Sequence, residues 1–234
     1  MLIARCCSCG DPAEARAFPL CEICDSALSG SLSCEPWLGD PVDACFAMHL
    51  LNEGNYAVLR AWKKSRGPLF DRRVLREDVT QRIRTWLDRA GPRPRAIVPV
   101  PQDAVRSLRM GGSPALRIAN WISRQTGIAL LEMLCKTHEP PGRQAELDFW
   151  NRLQNPIGFS VAVEGDNPPL SALLIDDFIT TGHTVREAAR ALKQSGVRQV
   201  LVLGLGARES SGSFAFAYRV AEEPSPASMS TSTR

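Results

Sequence analysis

The stretch "LLIDDFITTGHTV", residues 173–185, decides how this chain is read. An apolar run meets two adjacent acids, Asp176 and Asp177, and then a threonine-rich loop around one glycine, Gly182. The run reads as a buried strand. "HTVREAARALKQSG" (183–196) reads as the helix after it, with Val185, Ala188, Ala189 and Leu192 on one face and Gly196 as its stop. In an open α/β sheet, ligands bind beyond the carboxyl ends of the strands, where this loop falls. The amides of Thr181, Gly182, His183 and Thr184, with the threonine hydroxyls, form an anion cradle that needs no lysine, and Gly182 permits a positive φ. Acids beside a phosphate cradle make sense one sugar ring away, where they accept hydrogen bonds from a diol. Ribose 5-phosphate has that shape. The plainer alternative is a strand end whose acids cap the next helix.

Outward from this stretch the pattern is that of alternating strands and helices. Before it come a helix over 55–64 ("NYAVLRAWKK") and a second over 71–90. A strand at "RAIVPVP" (95–101) is followed by a helix over 113–127 with Ser113 as cap, Pro114 in the first turn and Gly127 as stop. "IGFSVAV" (157–163) reads as a strand, and "VRQVLVLGLGA" (197–207) as another buried one. Apolar runs of this kind predict an α/β fold with a mainly parallel sheet covered on both faces.

The 234 residues allow one such domain and a small appendage. All cysteines except Cys135 lie in the first 45 residues, which read as a separate cysteine-rich unit (1–45) before the α/β domain (46–210). Residues 211–234, with almost nothing to bury, read as a mostly disordered tail. Cys6-x-x-Cys9 and Cys21-x-x-Cys24 supply two thiol pairs at the spacing of a zinc knuckle. Four protein ligands leave no open position, so such a zinc ion is structural. A redox pair is the competing reading. With no apolar run long enough for a membrane span and no signal-like leader, a cytoplasmic location is expected.

Net charge is +3, unevenly spread. Residues 1–59 hold 2 Lys/Arg and 8 Asp/Glu, and residues 60–117 hold 15 and 5. A net of +10 in the middle invites a polyanion, or serves as a solvated basic face.

The 173–185 stretch resembles the phosphoribosyl-pyrophosphate motif of type I phosphoribosyltransferases. The cysteine pairs, Tyr56 and Lys63, Pro99-Val100-Pro101, and the series Gln144, Arg152, Asn155, Phe159 together resemble the ComF family, competence-associated proteins of that fold. The resemblance spans about residues 6–208. It implies that Asp176 and Asp177 are the catalytic-site acids gripping ribose hydroxyls, and that Thr180, Thr181, Gly182, His183 and Thr184 hold the 5-phosphate. It further implies a pyrophosphate loop of Val100, Pro101 and Gln102, whose amides face the pyrophosphate, with Arg106 and Arg109. Implied cofactors are structural Zn²⁺ and Mg²⁺ carried with phosphoribosyl pyrophosphate. Where the family reads Arg-Gly-Phe-Asn-Gln before the middle helix, this chain has Arg109-Met110-Gly111-Gly112-Ser113, keeping only the arginine. Two functions follow. One is a phosphoribosyltransferase-like protein binding phosphoribosyl pyrophosphate or a nucleotide, linked to DNA uptake or nucleotide metabolism. The other is a non-catalytic module that binds single-stranded DNA beside a helicase-like competence protein, or a ligand-sensing regulator. Lys63 and Lys64 read as solvated and carry no assignment.

Overall fold

The computed structural model describes residues 3–14, 19–64, 75, 77–102, 112–138, 158–162, 168–208 and 218–220. The cysteine pairs sit on a β1 (Ile3–Arg5) and β2 (Pro12–Glu14) hairpin and at the start of α1 (Glu22–Ser29). After β3 (Cys34–Pro36) come β4 (Ala44–Leu51), α2 (Glu53–Lys64), α3 (Glu77–Arg89) and β5 (Ala96–Pro99). Then follow α4 (Pro114–Thr126), β6 (Ala129–Leu130), β7 (Leu134–His138), β8 (Gly158–Val161), β9 (Ser171–Ile179), α5 (His183–Gln194), β10 (Gln199–Arg208) and β11 (Tyr218–Val220).

Seven strands form one mixed sheet in the order β11-β3-β4-β10-β9-β5-β6, while β7 and β8 pair separately. The five strands from β4 to β6 run parallel, and β3 and β11 pair antiparallel at one edge. The fold class is thus α/β with a parallel centre flanked by helices, and the sheet extends into both neighbouring segments. β3 draws Cys34–Pro36 of the cysteine-rich segment into it, and β4 crosses residue 45. Tyr218–Val220, inside the segment expected to lack structure, adds the edge strand β11 by pairing with β3.

Alternation along each strand divides the core in two. Leu173 and Ile175 of β9 face one layer with Trp62 of α2, Ile83 and Trp86 of α3, and Ile118 and Ile122 of α4. Ala172 and Leu174 face the other, with Val185, Ala188, Ala189 and Leu192 of α5, Met133, and Leu134 of β7. Each fully buried Val or Leu contributes about 1.5–3 kcal/mol of transfer free energy, so helices on both faces explain apolar runs without a polar side.

The helix over 113–127 has the punctuation expected of it. The Ser113 hydroxyl accepts from the Leu116 N–H at 3.3 Å, Pro114 opens the first turn, and Gly127 closes the helix at φ 71°. Replacing Ser113 with alanine is expected to cost about 1 kcal/mol, readable as a lowered urea midpoint at unchanged slope.

Connectivity places a candidate crevice. From β5 the chain passes through α4 to β6, moving toward one edge; from β9 it passes through α5 to β10, moving toward the other. The two routes leave adjacent strands on opposite faces, so β5 and β9 flank a topological switch point.

Candidate ligand site at the switch point

Val100 to Gln102 follow β5, and Thr180 to Thr184 follow β9, so the two loops meet across this crevice. Alternation sends Asp176 and Asp177 to opposite sides of β9. Asp177, 7% exposed, turns to the layer of α2. Its Oδ2 pairs with the Lys63 ammonium and accepts from Gln102 Nε2 at 3.5 Å, while its Oδ1 accepts from the Phe178 N–H at 2.7 Å. Asp176, half-buried, accepts the Asp177 N–H on Oδ1 at 2.8 Å. Burial first, and then the charge of Asp177, push Asp176 up to about 7, while Lys63 and Lys136 of β7 act in the opposite sense.

Lys63, read from the sequence as solvated, is brought against the acid pair by the fold. A reciprocal cap starts its helix: the Asn55 N–H donates to Asn52 Oδ1 and the Asn52 N–H to Asn55 Oδ1, both at 2.9 Å. Buried Val58, Leu59 and Trp62 fix the helix on the sheet. Lys63 lies at the helix end, 5.3 Å over the Phe178 ring, which itself stands 5.6 Å from Tyr56. The signal was present in the sequence as spacing, since positions 56, 59 and 63 share one helical face.

The loop after β9 is built as an N-terminal helix cap. Gly182 sits at φ 70°, a conformation that a side chain would strain, and α5 starts at His183. Its carbonyl accepts the Arg186 N–H at 3.0 Å, so the amides just before Arg186 lack helical acceptors and point out of the helix end. Thr181 Oγ1 accepts from the His183 N–H at 3.4 Å. Thr180 is exposed, and Thr181 and Thr184 are half-buried. Burial lowers the pKa of His183, which favours its neutral form, and its Nε2 is buried with no hydrogen-bond partner among the described residues.

The loop after β5 corrects an expectation. The Val100 N–H donates to Ile175 O at 2.8 Å, and Pro99 and Pro101 have no N–H, so Val100 and Pro101 offer no amide to a pyrophosphate. Gln102 remains, and its side chain reaches Asp177. Arg106 and Arg109, with Gln144, Arg152 and Asn155, lie outside the described residues. Phe159 packs from β8 against the α5 layer.

At the N-terminus, the Sγ atoms of Cys6, Cys9, Cys21 and Cys24 lie within 4.8 Å of one another, with Cys9 and Cys21 at 3.6 Å. A tetrahedral zinc ion with Zn–S near 2.3 Å needs edges of about 3.8 Å, so the set fits once its widest separations close by up to about 1 Å. The Gly10 N–H donates to Cys6 O at 2.9 Å, closing the knuckle. Burial opposes ionisation of Cys6, yet hydrogen bonds to the Cys9, Cys21 and Ser8 backbone hold its thiol at about 6. Cys34, by contrast, is pushed up to about 12 by burial, and Cys45 is raised well above the usual thiol value for the same reason. Both behave as inert core residues.

Magnesium fits less well. The cation site between the acids would use Asp177 Oδ2, which already holds an ammonium and an amide.

A chain that carries both a loop-and-acid crevice and a four-thiol knuckle can be compared with known proteins. The chain is similar to Competence protein F of Haemophilus influenzae. Over 114 residues the two are 35% identical, covering 48% of this chain and 50% of that protein. The chain therefore spans about half the length of the curated relative it matches, and the match agrees with the family resemblance carried by its motifs. No protein-family model matches the chain. A purine phosphoribosyltransferase from Pyrococcus horikoshii overlays 58% of this chain and 80% of its own at a TM-score of 0.36 and 13% identity. Adenine phosphoribosyltransferase from Leishmania tarentolae overlays 74% and 94% at a TM-score of 0.37 and 14% identity. Among the described residues no helix is long and apolar enough to cross a membrane.

Proposed function

We propose that the crevice between β5 and β9 binds a ribose-phosphate ligand, either phosphoribosyl pyrophosphate or a nucleotide, in a phosphoribosyltransferase-like protein associated with competence. The observation that carries this reading is the conjunction at one switch point of a helix N-terminus opened by Gly182 and an acid pair at the end of the same strand. The amides of the Thr181–Thr184 turn take the 5-phosphate, the His183 N–H exchanging its 3.4 Å bond to Thr181 Oγ1 for a phosphate oxygen. Asp176, which is half-buried and engages the Asp177 N–H through Oδ1, accepts from a ribose hydroxyl on its other oxygen. Group transfer from the anomeric carbon would need only electrostatic stabilisation of a cationic transition state, and no covalent nucleophile is required of this site.

Among the described residues the strand-binding alternative has less support. Trp62 and Trp86 of the basic region are fully buried, and Arg84, Arg93 and Arg117 spend their guanidinium groups on backbone carbonyls. Stacking platforms and free phosphate-tracking cations are what such a module needs.

Calorimetry with ribose 5-phosphate tests the reading. Binding is expected in the unmodified protein, and Gly182→Val, which forces a branched side chain to a positive φ, is expected to weaken it by about tenfold or more. No heat of binding with the unmodified protein would refute the pocket.

A further inference from the structure

Two acids on one strand end lie in the field of two lysines, one from α2 and one from β7. Lys63 reaches Asp177 from α2, and Lys136 acts on Asp176 from β7. We propose that the pocket holds its ligand without a divalent cation, with Lys63 taking the place that a metal ion would occupy between the acid pair and an anionic group of the ligand. This inference rests on the ribose-phosphate reading and specifies how that site is charged.

The hydrogen bonding supports it. Asp177 Oδ2 carries Lys63 and Gln102, Asp177 Oδ1 carries the Phe178 N–H, and Asp176 Oδ1 carries the Asp177 N–H. Three of the four carboxylate oxygens are thus engaged from within the protein. Magnesium asks for about six oxygens in near-octahedral geometry and usually takes one or two carboxylates together with ligand phosphates. To enter here it would have to displace an ammonium from the oxygen it needs, and an ammonium that stayed nearby would repel it.

Lys63 is not free to leave at little cost. Its side chain is 14% exposed, stands over the Phe178 ring, and follows directly on the fully buried Trp62. An ammonium has three donors. With one on Asp177, the others remain for an anionic oxygen, so a pyrophosphate group would meet a protein-borne cation in place of metal-bound water.

The test titrates phosphoribosyl pyrophosphate into the full chain in EDTA and, separately, in excess Mg²⁺. The two affinities are expected to agree within about threefold, less than 1 kcal/mol. Lys63→Met is expected to lose about tenfold or more in EDTA and to regain part of it with Mg²⁺, while Lys63→Arg, which keeps the charge, stays within a few-fold of the native protein. Circular dichroism of both variants checks that α2 is intact. Binding by the unmodified protein only when Mg²⁺ is present, or an unchanged affinity for Lys63→Met in EDTA, would overturn the inference. Ribose 5-phosphate serves as the control. If it binds while phosphoribosyl pyrophosphate requires Mg²⁺, only the metal-free inference fails; if neither binds, the pocket itself is wrong.

Discussion

Replacing Cys24 with serine is expected to empty the N-terminal thiol cluster of metal and unfold the β1–β2 hairpin and the start of α1. Three of the four thiols are buried within a unit whose strands are only three residues each. So small a unit has little core of its own, and in isolated zinc-finger peptides metal binding supplies about 10–16 kcal/mol of folding free energy. Purified protein is expected to hold about one zinc per chain by mass spectrometry under native conditions, and Cys24→Ser close to none. Proteolysis should then begin before residue 30, while the main sheet, which has its own two-layer core, stays protected. Acid should also release the metal. Burial raises Cys24, so zinc must displace its proton, and affinity falls as pH falls. A metal-free native protein with a protease-resistant N-terminus would contradict this account.

The second large effect concerns Asp176. Its ordinary value is 3.8 and its folded value about 7, so folding favours the protonated form. The sign follows directly: the favourable contribution is complete below about pH 4 and is lost as pH rises through 7. A change of that size corresponds to about 4 kcal/mol, and partial solvent screening of a half-buried group reduces this to about 2–4 kcal/mol. Asp176→Asn, which cannot ionise, is therefore expected to be about 2–4 kcal/mol more stable than the native protein at pH 8 and nearly equal to it at pH 4. The same variant is expected to bind ribose 5-phosphate about tenfold or more weakly, since an amide presents one acceptor oxygen where the acid presents two. A carboxylate that destabilises the free protein is what a functional residue looks like, and core packing elsewhere offsets it. Urea unfolding at the two pH values decides the matter: equal pH dependence in both proteins would remove Asp176 from this role.

What sequence alone revealed was local. The β9 strand, its glycine turn and α5 lie within a few consecutive turns of chain, so periodicity and punctuation specify them. The same holds for α4, whose Ser113, Pro114 and Gly127 act on their own helix. β4 was less legible, because "ACFAMHLL" is a short apolar run that neither period separates from a buried helix. The site residues that escaped notice depend on partners remote in sequence. Lys63 looks like any helix-terminal lysine until α2 is laid beside β9. The Val100 amide looks available until β5 pairs with β9 and Ile175 takes it.

The divergence of Asp176 and Asp177 to the two sides of β9 has an evolutionary consequence. Substitutions in α2 reach both acids through Lys63, whereas substitutions in the β7–β8 pair reach Asp176 through Lys136, so drift in that second layer retunes one acid while Asp177 keeps its hold. Such a scaffold can exchange one partner molecule for another in small independent steps.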